Sequence, residues 1–288
     1  MGFVSYDDLI AEITAGKRLV CPWSKSPSTA PVAGNWYSLW PVSGWPQAGA
    51  FSSTSYITHV RTNSSTLGNF CVGSSVNPDT KHLAYQWAMA SAGAPPPTLM
   101  LVDMVGYYTM TIGAQQFTMD NTNGPDRYVS AGQSGLQAVF VCSTANGATA
   151  TSISGMDYVD NNGNSAAMPL TTGVALTASV AAPSATLGAR ILTTLGGPFL
   201  PLQAGTTGIR SITDITFSAN NTGAFAILMV RPLAIIPCPT AYVPAERDLV
   251  MQIAGLERVY DNACLAWLGF WPAATGCVLT GEVDVVWG

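Results

Sequence analysis

Short apolar segments separated by turn residues recur along most of the chain, and this pattern constrains the fold more than any other feature. Residues 136–142 place Leu136, Ala138, Phe140 and Cys142 on one face, and residues 213–219 alternate between apolar and polar side chains. Turn signals such as Asn146-Gly147 and the string DNNG (160–163) lie between such segments. Many short strands with little helix between them are typical of antiparallel sandwiches and jelly rolls. We therefore predict a mostly β protein with an antiparallel β-sandwich or jelly-roll-like body.

Two apolar segments predict strands that are buried on both faces. Residues 98–111 predict a strand pair or one long bent strand, interrupted at Gly106. Residues 225–230 are apolar at every position, so we expect this strand to be covered on both sides. Pro232 follows after Arg231 and is expected to end the strand, because proline donates no hydrogen bond to a sheet.

Helical patterns are few. Residues 5–17 predict a short N-terminal helix, because Ser5 can cap it and Asp7 and Asp8 favour the positive end of its dipole. Residues 79–92 favour a second helix. Residues 246–261 are compatible with a broken helix or with a polar strand near a sheet edge.

Five prolines and four tryptophans follow the first helix before residue 52. Because proline removes backbone donors and stiffens the chain, this segment predicts an extended arm rather than a helix or an inner strand. Its tryptophans either pack onto the parent domain or reach a neighbouring subunit, where tryptophan is a favoured anchor. The candidate inter-subunit contacts are Trp23, Trp36, Trp40 and Trp45.

The predicted organisation has two parts. Residues 1–52 form the helix and the arm, and residues 53–288 form the β body. Within the body, the string AGQSGLQ (131–137) resembles AGTTGIR (204–210). This weak repeat indicates two similar β units, about 98–170 and 171–237, followed by a C-terminal segment, unless it is a chance similarity between glycine-rich β sequences.

Charged residues make up 9% of the chain, against roughly 25% in an ordinary soluble domain. A surface that is polar but nearly uncharged can be covered by a partner without desolvating many ions. The net charge is −5, and the chain has only three lysines. We therefore expect it to bind neither nucleic acid nor an anionic membrane, since both attract positive charge. Composition therefore favours a subunit of an assembly, with a secreted β protein as the alternative.

Six cysteines are present, and none lies in a C-x-x-C pair, so their spacing indicates no zinc site. Residues 1–17 lack the basic and apolar regions of a secretory signal. We therefore expect assembly in a reducing cytosol, with buried thiols rather than three disulfides. No apolar run approaches the roughly 20 residues that span a bilayer.

Residues for catalysis are sparse. Glu282 and Asp284 share one face of a predicted C-terminal strand. Paired carboxylates can hydrolyse glycosides, but this spacing favours a solvated sheet edge. His59 and His82 are far apart in sequence, so we expect each to be a single histidine of the surface or the core rather than part of a shared site. The sequence contains no nucleophile elbow, phosphate loop or dinucleotide fingerprint, so we expect neither an enzyme nor a cofactor.

Several strings resemble patterns in structural proteins of tailed-bacteriophage particles, and together they span most of the chain. They are GLQAVFV (135–141), MDYVDNNG (156–163), LQAGTTGIRS (202–211), VRPL (230–233) and ACLAW (263–267). The resemblance is to proteins that decorate or cement the head, and it supplies no catalytic residues.

The resemblance implies a virion protein on the capsid surface, assembled in the host cytoplasm. Its expected partners are the major capsid protein and copies of itself, for which a trimer is one arrangement. Its expected action is to cement the shell by binding across capsid subunits. The alternatives are a tail or fibre component that binds a host receptor and, on the basis of Glu282 and Asp284 alone, an enzyme acting on cell-surface sugars.

Overall fold

The computed structural model describes residues 3–52, 57–70, 72–111, 116–130, 135–169, 173–252 and 256–288. Antiparallel strands dominate these ranges, which confirms the predicted mostly β class. The elements are α1 (Tyr6–Thr14), β1 (Arg18–Lys25), β2 (Asn35–Ser38), β3 (Gly44–Trp45), β4 (Val60–Arg61), β5 (Lys81–Ala90), β6 (Thr98–Thr111), β7 (Gln116–Thr118), β8 (Gln137–Cys142), β9 (Thr151–Asp160), β10 (Ser165–Ala167), β11 (Val174–Leu176), β12 (Ala189–Arg190), β13 (Ile209–Phe217), β14 (Ala224–Pro237), β15 (Ala245–Asp248), β16 (Arg258–Val259), β17 (Leu265–Trp271) and β18 (Leu279–Trp287).

The strands form three sheets. A six-stranded sheet has the order β15-β5-β18-β1-β3, with β16 also paired to β5. A five-stranded sheet has the order β10-β9-β13-β7, with β11 beside β9, and a seven-stranded sheet has the order β12-β2-β17-β6-β14-β8, with β4 beside β6. One hydrophobic cluster joins the seven-stranded sheet to the five-stranded sheet, and another joins it to the six-stranded sheet. This packing of antiparallel sheets confirms the predicted sandwich class.

The two longest strands explain why the seven-stranded sheet is the centre of the fold. β6 is one continuous strand, and residues 225–230 of its partner β14 are buried on both faces, as the apolar patterns predict. Pro232 does not end β14, so that expectation was wrong. The strand continues to Pro237 with a register shift between Pro232 and Ala234, where an irregularity absorbs the missing donor.

The predicted helix over 79–92 is a strand. β5 alternates between buried and partly exposed positions over most of its length, because one face meets the core and the other does not. Its alanines, leucine, glutamine and methionine are good helix formers. Pairing with β18 on one side and with β15 and β16 on the other overrides this local preference.

The N-terminal helix forms where it was predicted. Ser5 is the N-cap, and its hydroxyl accepts a hydrogen bond from the backbone N–H of Asp8. Leu9 packs against Ala84 and Val286 on the outer face of the six-stranded sheet. A helix of 9 residues is marginal alone, so this contact holds it in place.

The segment after the helix is part of the sheets, so the expectation of an arm without inner strands was wrong. β1 pairs along all eight of its residues with β18, and its last two residues also pair with β3. Pro22 is tolerated inside β1 because its other side is left unpaired there. The sheets do not follow the predicted boundaries: β6 pairs with β14 and β9 with β13, across the limits of the two proposed β units.

A substitution at Gly281 tests how tightly β1 is built into the sheet. A Cβ at this position would overlap the carbonyl oxygen of Trp87 and lie 2.7 Å from Nε1 of Trp23. We expect Gly281→Ala to lower the free energy of unfolding by about 1–3 kcal/mol, because overpacking displaces well-packed neighbours. Urea denaturation measures this, and Gly196→Ala, where a Cβ meets nothing within 4 Å, is the control. Equal stability of the two variants would contradict the close packing.

The five described cysteines are buried thiols, as predicted. Cys71 lies outside the described residues, as does the first part of the proposed repeat (131–134). The DNNG turn also forms as predicted: the Asp160 carboxylate accepts backbone N–H bonds from Asn162 and Asn164 and closes the hairpin between β9 and β10.

Candidate contact surfaces

The four tryptophans proposed as inter-subunit contacts lie in different environments. Trp23 is buried against Trp267, with ring centroids 4.8 Å apart. Trp40 is buried too, and its Nε1 donates to the backbone oxygen of Leu67 at 2.9 Å. Their rings are covered by this chain, so the prediction that they contact a neighbour was wrong. It stays a prediction for the half-buried Trp36 and for Trp45, which is 59% exposed.

Trp45 lines a groove on the surface of the protein. The Trp45 groove, formed by residues 45–47 and 64–70, has a volume of about 480 Å³ and no charged lining residue. Leu67, on its opposite wall, is 64% exposed. Two large apolar side chains beside an uncharged groove are typical of a protein contact.

Buried hydrogen bonds hold both walls of the Trp45 groove. The Trp40 indole fixes the carbonyl of Leu67, as described above. The Lys25 ammonium donates to the backbone oxygens of Val42 at 3.0 Å and Pro46 at 2.7 Å. Burial lowers the pKa of Lys25 to about 8, because the charged form is poorly solvated there. A groove with fixed walls loses little conformational entropy when a partner binds.

The outer face of the six-stranded sheet carries a second candidate surface. Two neighbouring cross-strand rows on β15, β5 and β18 each place an aromatic residue between two carboxylates. The rows are Glu246-Trp87-Glu282 and Asp248-Tyr85-Asp284. Burial raises the pKa of Tyr85, and the Glu246, Asp284 and Glu282 carboxylates raise it further. The face is therefore an acidic and aromatic surface.

Asp284 is the buried member of this surface, so the expectation that Glu282 and Asp284 lie on a solvated edge was wrong. β18 is flanked by β5 and β1, and Asp284 is only 2% exposed. Arg18, from β1, makes an ion pair with it through Nη2, and Arg18 Nε donates to the same oxygen, Oδ2, at 3.0 Å. Local sequence does not indicate this burial, because the strands that flank β18 lie far away in the chain.

Glu282 lies two residues before Asp284 on β18. Burial raises the pKa of the Glu282 carboxyl, and the negative charge of Asp284 adds to this shift. Carboxyl groups that cleave a glycosidic bond are about 5 Å apart or more, because the sugar lies between them. Asp284 is buried and already paired with Arg18, so Glu282 and Asp284 do not form two free carboxyls on either side of a sugar.

The most deeply buried charges join strands to one another. Arg127 binds Asp103 in a bidentate pair, with Nε–Oδ2 at 2.8 Å and Nη2–Oδ1 at 2.6 Å. The Asp103 carboxylate also accepts from the backbone N–H of Cys264, at the start of β17. No solvent-filled cleft opens onto the pair in the described part of the chain, since both side chains are buried, so we assign it a structural role.

The two histidines do not meet. His59 lies beside β6 in the seven-stranded sheet, and His82 is on β5 in the six-stranded sheet. Across the described ranges, no group of three or more histidine, cysteine, aspartate or glutamate residues is arranged to hold a metal ion. A helix with the length and apolarity needed to cross a membrane is likewise absent from these ranges.

Comparisons with known proteins identify no family: no family model matches the chain, and no curated protein matches it. The chain is similar to the crystal structure of the infectious bursal disease virus VP2 subviral particle, at 11% identity and a TM-score of 0.18, over 93% of this chain and 80% of that one. A mutant VP2 protein of that virus, in derived T=1 particles, gives 10% identity and a TM-score of 0.19, over 93% and 77%. Scores this low carry no argument about fold or function.

Proposed function

We propose that the protein is a structural component of a bacteriophage particle, which decorates the capsid and stabilises it by binding across capsid subunits. The observation that carries this proposal is that the folded protein presents a surface with few free positive charges. Lys25 and Lys81 are buried, and Lys17 is paired with Glu12 and Asp79. A chain that is already poor in charge thus has every lysine engaged internally, and this favours broad contact with other protein.

The action of such a protein is passive. Each contact is weak, and symmetry repeats it over the shell, so that many copies together resist internal pressure. The partners that we propose are the major capsid protein and further copies of this chain. The Trp45 groove is the contact surface that we assign to them.

Heating tests this proposal. Phage particles made without the protein should release their DNA at a lower temperature than complete particles, and adding back the purified protein should restore the release temperature. Equal release temperatures with and without the protein would remove the stabilising role.

Trp45→Ser tests the groove itself. Removing the exposed indole should weaken retention of the protein on particles by about tenfold or more, because a central aromatic anchor contributes on the order of 2 kcal/mol. Co-sedimentation of purified variants with stripped particles measures this. Val32→Ser, at another exposed apolar side chain, is the matched control. Unchanged retention of Trp45→Ser would assign the contact elsewhere.

The alternative is a tail or fibre component that binds a host receptor. It is favoured by the half-buried Trp87 between Glu246 and Glu282, because an apolar ring flanked by hydrogen-bond acceptors can bind one face of a sugar. Labelling the protein in intact particles separates the two: label on the head supports decoration, and label confined to the tail supports the alternative.

A further inference from the structure

A cavity of about 300 Å³ lies between helix α1, the turn after β15 and the outer face of the six-stranded sheet. We call it the α1 pocket. Its walls are mainly apolar, with Leu9 and Ile13 from the helix and Ala84 and Val286 from the sheet. Such walls suit an aliphatic chain.

One carboxylate oxygen of a residue that lines the α1 pocket is buried without a hydrogen-bond partner. Asp284 lines the pocket, and its Oδ2 is taken by Arg18. Its Oδ1 is buried and has no hydrogen-bond partner among the described residues. A buried carboxylate oxygen without a donor is costly, on the order of 1–3 kcal/mol. This oxygen therefore lacks a hydrogen-bond donor, and a cationic one fits best, because Asp248 also lines the pocket, while the positive charge of Arg18 is already paired with Oδ2.

The rim of the α1 pocket indicates what kind of molecule brings that donor. Tyr6 and Met251 line the pocket and are 54% and 69% exposed, and Val4, which lines an adjoining groove with them, is 89% exposed. A large exposed apolar rim is typical of a protein contact rather than of a site for a free ion. An apolar rim around a buried charge also matches the arrangement in which one basic side chain anchors an interface.

We propose that the α1 pocket receives a lysine or arginine side chain from a neighbouring protein subunit. The aliphatic stem lies along the apolar walls, and the cationic head donates to Asp284 Oδ1. That the donor belongs to another subunit rests on the proposed structural function. The chemistry of the pocket itself does not depend on it.

Small cations test the pocket on the isolated full-length protein. Butylguanidinium and butylammonium should bind with millimolar affinity and shift the NMR signals of the Ala84 and Val286 methyl groups, whereas neutral butylurea should bind roughly tenfold more weakly. If butylurea binds as tightly as the two cations, the α1 pocket does not recognise charge, which would contradict the proposal. Absence of binding by either cation would overturn the proposal.

Two variants locate the binding. Asp284→Asn should weaken butylguanidinium binding by about tenfold, while Asp120→Asn, at an exposed carboxylate, should leave it unchanged. Because Asp284→Asn also disturbs Arg18, Ile13→Trp provides a second variant that fills the pocket from the helix and should abolish binding without touching the carboxylate. Undiminished binding in Ile13→Trp would contradict the assignment.

Retention on particles separates this proposal from the proposed function. One outcome is that the isolated protein binds cations but Ile13→Trp is retained on particles as well as the unmodified protein. This result overturns the role of the pocket at the interface, and a structural protein that binds through the Trp45 groove remains supported. Loss of particle stabilisation by the unmodified protein overturns the function and leaves the pocket chemistry intact.

Discussion

Replacing Arg127 with leucine should lower the free energy of unfolding by about 3–5 kcal/mol, because it leaves the Asp103 carboxylate buried and without its counter-ion. The guanidinium forms the bidentate pair and also donates to the backbone oxygens of Thr62 at 3.0 Å and Met104 at 3.1 Å. All of these bonds are lost together, and leucine replaces none of them. Urea denaturation at pH 7 measures the effect.

Lys17→Met is the matched control for this substitution. Its ammonium is paired with Glu12 and Asp79 at 2.8 Å each, but the side chain is partly exposed, so the loss should stay within about 1 kcal/mol. The double variant Arg127→Leu with Asp103→Leu should recover much of the stability, because no buried charge is left unpaired. A small loss in Arg127→Leu alone would show that water or a rearrangement compensates Asp103.

Acidification should destabilise the protein through His59. The Nδ1 of this buried ring lies 2.9 Å from the backbone oxygen of Asn123 and donates to it, while Nε2 is buried and has no partner among the described residues. Burial lowers the pKa of His59 to about 4, from an ordinary value of 6.5. Its contribution to stability is therefore complete above pH 6.5. It is lost as the pH falls towards 4, since the unfolded state binds the proton first.

The expected loss from His59 between pH 6.5 and 4 is about 3 kcal/mol, at 1.36 kcal/mol for each unit of pKa difference. The variant His59→Asn keeps a donor for the Asn123 oxygen but carries no titratable group. Urea denaturation of both proteins from pH 7 to pH 4 isolates the effect, because other titrating groups are common to both. Parallel stability profiles would contradict a strongly lowered pKa for His59.

Local sequence predicted the elements whose patterns reflect their own burial. β6 and the apolar part of β14 were predicted because they are apolar at nearly every position, and such runs have no stable place except between covering layers. The Ser5 cap and the DNNG hairpin were also predicted, since their hydrogen bonds span only a few residues.

Distant pairing decided the features that were wrong. The strand β5 contains helix-forming residues, and only its neighbours β18 and β15 keep it extended. Pro232 stays within β14 because an irregularity in the pairing with β6 accommodates it. The α1 pocket also needs three distant segments, and the partner of Asp284, Arg18, is 266 residues away in the chain.

The sequence alone determined the class of the fold and a surface poor in charge, because alternation, turns and composition are local or additive properties. The tertiary structure alone decided which of the four tryptophans are available for contact. Trp23 faces the core because β1 lies between β18 and β3. Trp40 is covered because the chain around Leu67 lies against its ring, and the Leu67 carbonyl accepts a hydrogen bond from the indole. Trp45 remains exposed on a wall that those same contacts hold in place. Availability depends on which distant segment covers each ring, and no local pattern encodes that.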